Sequence, residues 1–378
     1  MVELTNRQRA ALVAVCALYA AVVIPIGIHK GGDFVQELRL SDRLITGAAP
    51  LYAHSPIKGA FWPPFTIFGL VPFALVARVS LPLSQALWAA ANVAGLGWSV
   101  ARIAGRWGWR PALLAVAAVA KPLQGNFEHL NLLVVLLTLI VAAVVDLAEG
   151  RERRAGLWIG IATAVKVFPG LLLLYFAYRR RWRGMATGVA AAVALSVGSM
   201  LRYGPVGAAS AVRDWVVMSR EGQQVEGFGF QPLGDWVLGL GGSDVIVWLA
   251  IAGCCAVVFA ALAAWPTGDD PLYEVGLVTV LAVLVSPIGW FYYHLLAIPA
   301  WVAALTAPVP AGRRTAIAWR GALLVAGVLL SGVLTFDHLY PNALTVVKRF
   351  NYVWGALLLL GALAAHRLVL FRRQPQLS

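Results

Sequence analysis

Few residues in this 378-residue chain could do chemistry, because only 12% are Asp, Glu, Lys or Arg while 60% are hydrophobic. The informative ones lie inside apolar runs or at their ends, where an ionisable group in lipid costs about 2.5–3.5 kcal/mol on insertion scales. They are Lys121 and Lys166 in the first half, Asp33 and His294 at the ends of apolar runs, and Glu128 and His129 at a break between two runs. Asp33 follows Gly31 and Gly32 just after the first run, so its carboxylate projects at the membrane boundary, where it could take a proton from a hydroxyl. On spacing alone, an Asp in that place reads first as the cap of a helix over 34–45. Lys166 is central in an apolar run. An anionic phosphate leaving group would need a cation at that depth, although snorkelling, or pairing with Asp33 or Glu128, would account for the residue as well. His294 follows Ser286-Pro287-Ile288-Gly289-Trp290-Phe291-Tyr292-Tyr293 and opens a run amid aromatics, where a place in an aromatic belt competes with a chemical role.

Other chemistries have little support. His29 and Asp33 are spaced i, i+4 and could hold a metal on one helical face, but no third ligand is near, so no metal is expected. Cys16, Cys254 and Cys255 fall in apolar runs without ligand spacing and read as small buried hydrophobes. There is no Gly-rich phosphate loop after a strand and no serine nucleophile elbow, which argues against a soluble nucleotide-sugar site. The net charge of +13 could suggest a nucleic-acid partner. Its arginines cluster in short loops between apolar runs, a pattern of membrane orientation instead.

The elements that must position these residues are membrane helices. Candidate spans are residues 10–28, 61–79, 83–104, 112–123, 130–147, 155–178, 185–201, 245–265, 273–285, 292–306, 322–335 and 352–370. The first is expected to be retained as a span rather than cleaved as a signal peptide. Two stretches are too polar for lipid, 29–60 and 202–242, and they form a first and a second outer loop on a single transmembrane domain covering 1–378. Within the second, 213–221 reads as a surface-lying amphipathic helix. With the basic segments 179–183, 313–314 and 372–373 in the cytoplasm, both long loops and the 286–290 turn share the outer face. The first half is less regular: one crossing per run would put the arginines of 102–110 and 151–154 outside. The segment 155–178, interrupted by Lys166 and Pro169, is the element expected to dip in and return.

The order of several short motifs resembles glycosyltransferase family 87, membrane-embedded polyprenol-phosphate-sugar enzymes of the GT-C class. Gly32-Asp33-Phe34, then Gly47-Ala48-Ala49-Pro50-Leu51-Tyr52, then Phe61-Trp62-Pro63-Pro64 are similar to the family's opening series. Gln124-Gly125-Asn126-Phe127-Glu128-His129-Leu130-Asn131 is similar to a Gly-Gln-x-Asn element in a different order. Gly160 to Lys166 and Pro169, followed by the basic loop 179–183, resembles the family's Gly-Lys-Pro helix. Ser286-Pro287-Ile288-Gly289-Trp290 with His294 resembles Ser-Pro-x-Ser-Trp and its histidine, with Gly289 in place of serine.

The resemblance implies an all-α integral membrane protein, a polytopic GT-C-type bundle of about 11–13 transmembrane helices with short helices in its first extracytoplasmic loop. It implies Asp33 as catalytic base and His294 near the donor phosphate; Lys166 joins the phosphate site by its depth and charge. Asn126, His129 and Gln231, with the aromatic Trp62, Trp290 and Tyr293, are the candidate substrate contacts. The implied reaction moves a hexose, mannose first and arabinofuranose as an alternative, from a polyprenyl-phosphate sugar to a lipid-linked glycan. It would occur at the extracytoplasmic face of a bacterial plasma membrane, with no cofactor beyond the lipid-linked donor. A secondary transporter is the rival reading, since many spans with intramembrane lysines fit that class too, and a non-catalytic scaffold is a third.

Overall fold

The computed structural model describes residues 5–48, 51–52, 62–221, 232–264, 270–333 and 350–371, and within them the regular structure is helical. In chain order the α-helices are α1 (Asn6–Lys30), α2 (Gly32–Thr46), α3 (Pro64–Gly69), α4 (Val71–Val79), α5 (Leu81–Trp107), α6 (Trp109–Ala118), α7 (Ala120–His129), α8 (Leu133–Ala148) and α9 (Glu152–Val165). There follow α10 (Leu171–Tyr178), α11 (Trp182–Gly198), α12 (Gly204–Glu221), α13 (Leu233–Gly239), α14 (Asp244–Ala263), α15 (Pro271–Val285), α16 (Ile298–Thr306), α17 (Arg313–Ser331) and α18 (Asn351–Phe371). Among the described residues, α1, α14, α17 and the Asn351–Val369 stretch of α18 are each long and apolar enough to cross a membrane unaided, and α11 with α12 forms a further pair bent by 46°. The contacts divide into two compact units, each discontinuous in sequence: 1–102 with 124–226, and 103–123 with 227–378.

In the first unit, glycines fix the direction of the helices. A Cβ on Gly97 would lie 2.7 Å from the sulfur of Cys16 and one on Gly31 would lie 2.6 Å from Nε2 of Gln85, so α1 and α5 run antiparallel. The Trp88 indole donates to the carbonyl of Leu130 at 2.8 Å, and Ser99 reaches Thr138, so α8 runs parallel to α5. Two Gly-x-x-x-Gly pairs then bring α9 onto α11. A Cβ on Gly156 would fall 2.0 Å from the carbonyl oxygen of Gly184, and one on Gly160 would fall 2.3 Å from that of Gly188. Backbones approach this closely where both helices present hydrogen in place of a side chain. The match of 156 with 184 and of 160 with 188 makes the two helices parallel, while Phe176 and Leu173 of α10 meet Gly184 and Gly188 in the reverse order.

The basic segments are sorted by these directions. Arg7 and Arg9, Arg102, 151–154 and 179–183 all lie at one end of the unit; the end of α1 that carries Asp33 lies at the other. The expected entry and return of 155–178 is therefore present: α9 enters over about 21 Å, breaks at Lys166, and α10 returns. A second element departs from the expectation. Residues 61–79 were expected as a span, but α3 and α4 do not cross. Ser41 of α2 donates to the carbonyl of Ile67, Arg78 pairs with Asp42 at 2.7 Å, and Thr66 donates to the carbonyl of Val165, so both of these helices stay at the Asp33 end. The run is as apolar as a span, but the break at Leu70 and Pro72 splits it into two short helices whose polar atoms are taken up by α2 and α9.

In the second unit, α17 and α18 run antiparallel, with Asn351 donating to the carbonyl of Leu329 at one end and Trp319 stacked on His366 at the other. Among the ionisable groups that the sequence reading did not single out are Glu274 of α15 and Arg367 of α18. They pair at 2.8 Å with 0% and 5% of their side chains exposed, so burial of each charge is compensated by the other.

Candidate active site

Asp33 lies in the first turn of α2 but is not its cap. The N-cap residue is Gly31, and no side chain caps that end. The Asp33 carboxylate instead accepts a hydrogen bond from Nδ2 of Asn131 at 2.8 Å, with Nδ1 of His129 4.0 Å from its other oxygen. The loop that delivers Asn131 is under backbone strain. Leu130 has φ 52°, a left-handed conformation that costs a branched residue roughly 1–2 kcal/mol. Three contacts hold it there: the Trp88 indole on its carbonyl, and the bare backbones of Gly27 and Gly31, where a Cβ would lie 2.6 and 3.0 Å from the Leu130 side chain. Asn131 closes its own position by accepting the amide of Leu132 at 2.8 Å, leaving its amide nitrogen for Asp33.

One helical turn beyond Asp33, and on the same face of α2, is Glu37. It is fully buried, and neither of its carboxylate oxygens has a hydrogen-bond partner among the described residues. Burial pushes its carboxyl well above the ordinary value, the Lys166 ammonium draws it back down, and the negative charge of Asp33 pushes it up again. Glu37 is thus within electrostatic reach of both Asp33 and Lys166. Lys166 is 6% exposed and sits at the extended break that ends α9, not within a continuous helix. Lys166 acts electrostatically on Glu37, and Glu128, a candidate partner, is instead 3.5 Å from Lys30 and accepts from Gln124 at 2.7 Å.

The remaining candidates of this unit divide by role. Asn126 is fully buried, and its Oδ1 accepts the amide of Leu133, so its side chain serves the start of α8. His129 is partly exposed beside Asp33. Trp62 is buried, and its carbonyl accepts from the Tyr52 hydroxyl at 3.1 Å. Gln231 lies outside the described residues.

His294, Trp290 and Tyr293 belong to the second unit. The chain from Ser286 to Trp290 closes on itself through the Ser286 hydroxyl, which donates to the carbonyl of Ile288 at 2.7 Å. A 3-10 helix, Phe291–Ala297, then carries a buried His294 whose ring stacks on Tyr352 of α18 with centroids 5.9 Å apart. Trp290 lies parallel to Tyr292 at 6.0 Å, and Tyr293 is buried. Lys121 packs against Gly332 beside the Tyr352 hydroxyl, so this aromatic group has a lysine near it that the motif comparison did not use.

Three residues that matter to this geometry were not among the expected site residues: Glu37, Asn131, and Lys121, which stood out only as a charge in an apolar run. The i, i+4 spacing of Asp33 and Glu37 was the available signal for the first. Asn131 stood in a quoted motif, but its reach to Asp33 depends on the left-handed Leu130.

Comparison with known proteins agrees with the motif order. A polyprenol-phosphate-mannose-dependent alpha-(1-2)-phosphatidylinositol mannoside mannosyltransferase of Mycolicibacterium smegmatis is 28% identical over 372 residues, covering 85% of this chain and 81% of the relative. The corresponding pentamannoside mannosyltransferase of the same organism is 26% identical, over 80% of this chain and 74% of its own. The crystal structure of ArnT from Cupriavidus metallidurans bound to undecaprenyl phosphate aligns with a TM-score of 0.48 at 16% identity, over 94% of this chain and 77% of that one. The sequence model of glycosyltransferase family 87 matches residues 61–287, more than half of the chain, and the chain belongs to that family.

Proposed function

We propose that the protein is a membrane mannosyltransferase that uses a polyprenyl-phosphate mannose donor and a lipid-linked glycan acceptor. The observation that carries this reading is the Asp33 carboxylate, held by Asn131 at 2.8 Å at the end of its unit opposite the arginine loops. By the positive-inside rule those loops face the cytoplasm and Asp33 the outer side of a bacterial plasma membrane. Asp33 takes the proton of the acceptor hydroxyl as the hydroxyl oxygen bonds to the anomeric carbon. The bond from that carbon to the phosphate oxygen breaks on the opposite face, so the anomeric centre inverts. The departing polyprenyl phosphate gains one negative charge, which Lys166 stabilises. His294 is assigned to the donor phosphate by family resemblance. No general acid is needed, because phosphate leaves without protonation; glycoside hydrolysis, by contrast, requires two carboxylates. The polyprenyl tail remains in the bilayer throughout.

Both mannosyltransferase relatives are named for a polyprenol-phosphate-mannose donor, which supports mannose over arabinofuranose. Purified full-length protein incubated with a panel of synthetic polyprenyl-phosphate sugars and a phosphatidylinositol mannoside acceptor, with donor consumption followed by mass spectrometry, tests the proposal. Consumption of the mannose donor with gain of one hexose on the acceptor is the expected result. Consumption of no donor in the panel, or of the arabinofuranosyl donor alone, would overturn it.

A further inference from the structure

The arginine end of the first unit carries a second candidate site that sugar transfer does not use. The loops after α8 and α10 meet there around a cavity of about 740 Å³. Between residues 146 and 183 stand seven arginines and three carboxylates, Asp146, Glu149 and Glu152. Every carboxylate is engaged. Buried Asp146 accepts from Nε of Arg151 at 2.7 Å and from the Trp158 indole at 2.8 Å, with Arg154 at 3.6 Å; Glu149 pairs with Arg151, and Glu152 lies 3.9 Å from Arg181. Arg153, Arg180 and Arg183 line the cavity, are exposed, and have no carboxylate partner among the described residues. Three guanidinium groups without counter-ions around one opening favour an anion with several acceptor oxygens.

We propose that this cavity binds the headgroup phosphate of an anionic phospholipid in the leaflet opposite the Asp33 face. Phosphate fits because each guanidinium can meet two of its oxygens. Two neighbours on the same elements favour a lipid over a soluble phosphate. Trp182, 56% exposed, lines the cavity beside the arginines, and tryptophan is enriched at membrane–water interfaces. Leu157 of α9 and Val189 of α11 are exposed further along the two helices that begin at the cavity, a path along which an acyl chain can lie. Basic pockets between helices on the cytoplasmic side are suited to such headgroups. Binding here is independent of the catalytic reading and needs no turnover to be measured.

The test uses the full chain in neutral detergent, with bound lipid counted by native mass spectrometry and thermal unfolding followed in parallel. The probes are phosphatidylglycerol, zwitterionic phosphatidylcholine and water-soluble glycerol phosphate. Phosphatidylglycerol is expected to bind and to raise the unfolding temperature, while the other two do neither. The combined variant Arg153→Gln, Arg180→Gln, Arg183→Gln is expected to weaken phosphatidylglycerol binding by roughly a hundred-fold at low salt, about five-fold per charge removed. The corresponding triple Lys variant, which keeps the charges but not the paired donors, should bind more tightly than the Gln variant and more weakly than the wild type. Added salt should weaken binding to the wild-type protein, a readout that needs no variant. Equal binding of phosphatidylcholine, indifference to the triple Gln change or to salt, or equally tight binding of glycerol phosphate would each overturn the proposal, the last by making this a site for soluble anions.

Discussion

The two ends of the first unit handle charge in opposite ways. At the Asp33 end the candidate site is built on Asp33, Glu37 and Lys166; Glu37 and Lys166 are buried, at 0% and 6% exposure, and Asp33 accepts a hydrogen bond from Asn131. At the other end are seven arginines in the 151–183 stretch, three of them exposed and without a carboxylate partner among the described residues, with the local carboxylates engaged by their neighbours. A charge in a water-poor setting interacts strongly with each neighbour, whereas exposed charges are screened and act as a group. Single substitutions should therefore be severe at the first end and mild at the second. Asp33→Asn makes the sharpest test. It keeps the shape of the side chain and an oxygen for Asn131 but removes the base, so transfer should fall by about a thousand-fold while the unfolding temperature barely moves. A variant that still turns over at half the wild-type rate would end the contrast, because the buried end would then be structural.

The second effect in size concerns the scaffold that separates the two ends. Gly160→Val places a branched side chain where even a Cβ would lie 2.3 Å from the carbonyl oxygen of Gly188 and 2.9 Å from its Cα. Backbone cannot give way as a flexible side chain can, so α9 and α11 must separate. A loss of about 3 kcal/mol is expected, read as a lower unfolding temperature in detergent and a poor yield. Since α9 ends at Lys166, the same variant should lose activity in whatever fraction remains folded. An unchanged unfolding temperature would mean that the parallel pairing of α9 and α11 is wrong, and with it the placing of the arginine loops at one end.

That pairing also marks the limit of what could be read from the sequence. Asp33 was legible because it follows two glycines at the end of an apolar run, and Lys166 because an ammonium interrupts one. The return of 155–178 was legible from Lys166 and Pro169. The Gly156 and Gly160 pair and the Gly184 and Gly188 pair carried the reason for it, but spacing alone does not say which helix a small-residue stripe will meet. Residues 61–79 looked like a span because composition records apolarity and not direction, and their polar contacts to α2 and α9 are long-range. Glu37 was hidden for the opposite reason. It stands among Gln36, Arg39, Asp42 and Arg43, in a stretch polar enough to read as solvated, and its burial follows from which face of α2 meets the unit.

Asn131→Ala sharpens the comparison at a finer scale. Asn131 touches Asp33 and is expected to orient the carboxylate without taking part in proton transfer. Its loss should lower kcat by roughly ten-fold with little change in KM. If the variant matched Asp33→Asn in severity, Asn131 would have to contact substrate itself.

The smallest expected effect is a slope. Glu37 is a carboxyl whose folded-state value is pushed well above the ordinary 4.5, mainly by burial, with Lys166 opposing and Asp33 adding. Above the ordinary carboxylate range the unfolded chain has given up this proton while the folded protein still holds it. Folding is then linked to proton uptake, and stability falls as pH rises until the folded-state value is passed. The contribution is fully present below about pH 4.5 and is lost going upward. Glu37→Gln cannot ionise, so the stability of the variant relative to the wild type should rise with pH through this window, by at most ~1.4 kcal/mol per pH unit for one proton. Parallel unfolding curves of the two proteins between pH 5 and 9 would measure it. Curves that stay parallel would mean that Glu37 is ionised throughout and its charge is met by Lys166, and the low-dielectric character assigned to the Asp33 end would not hold.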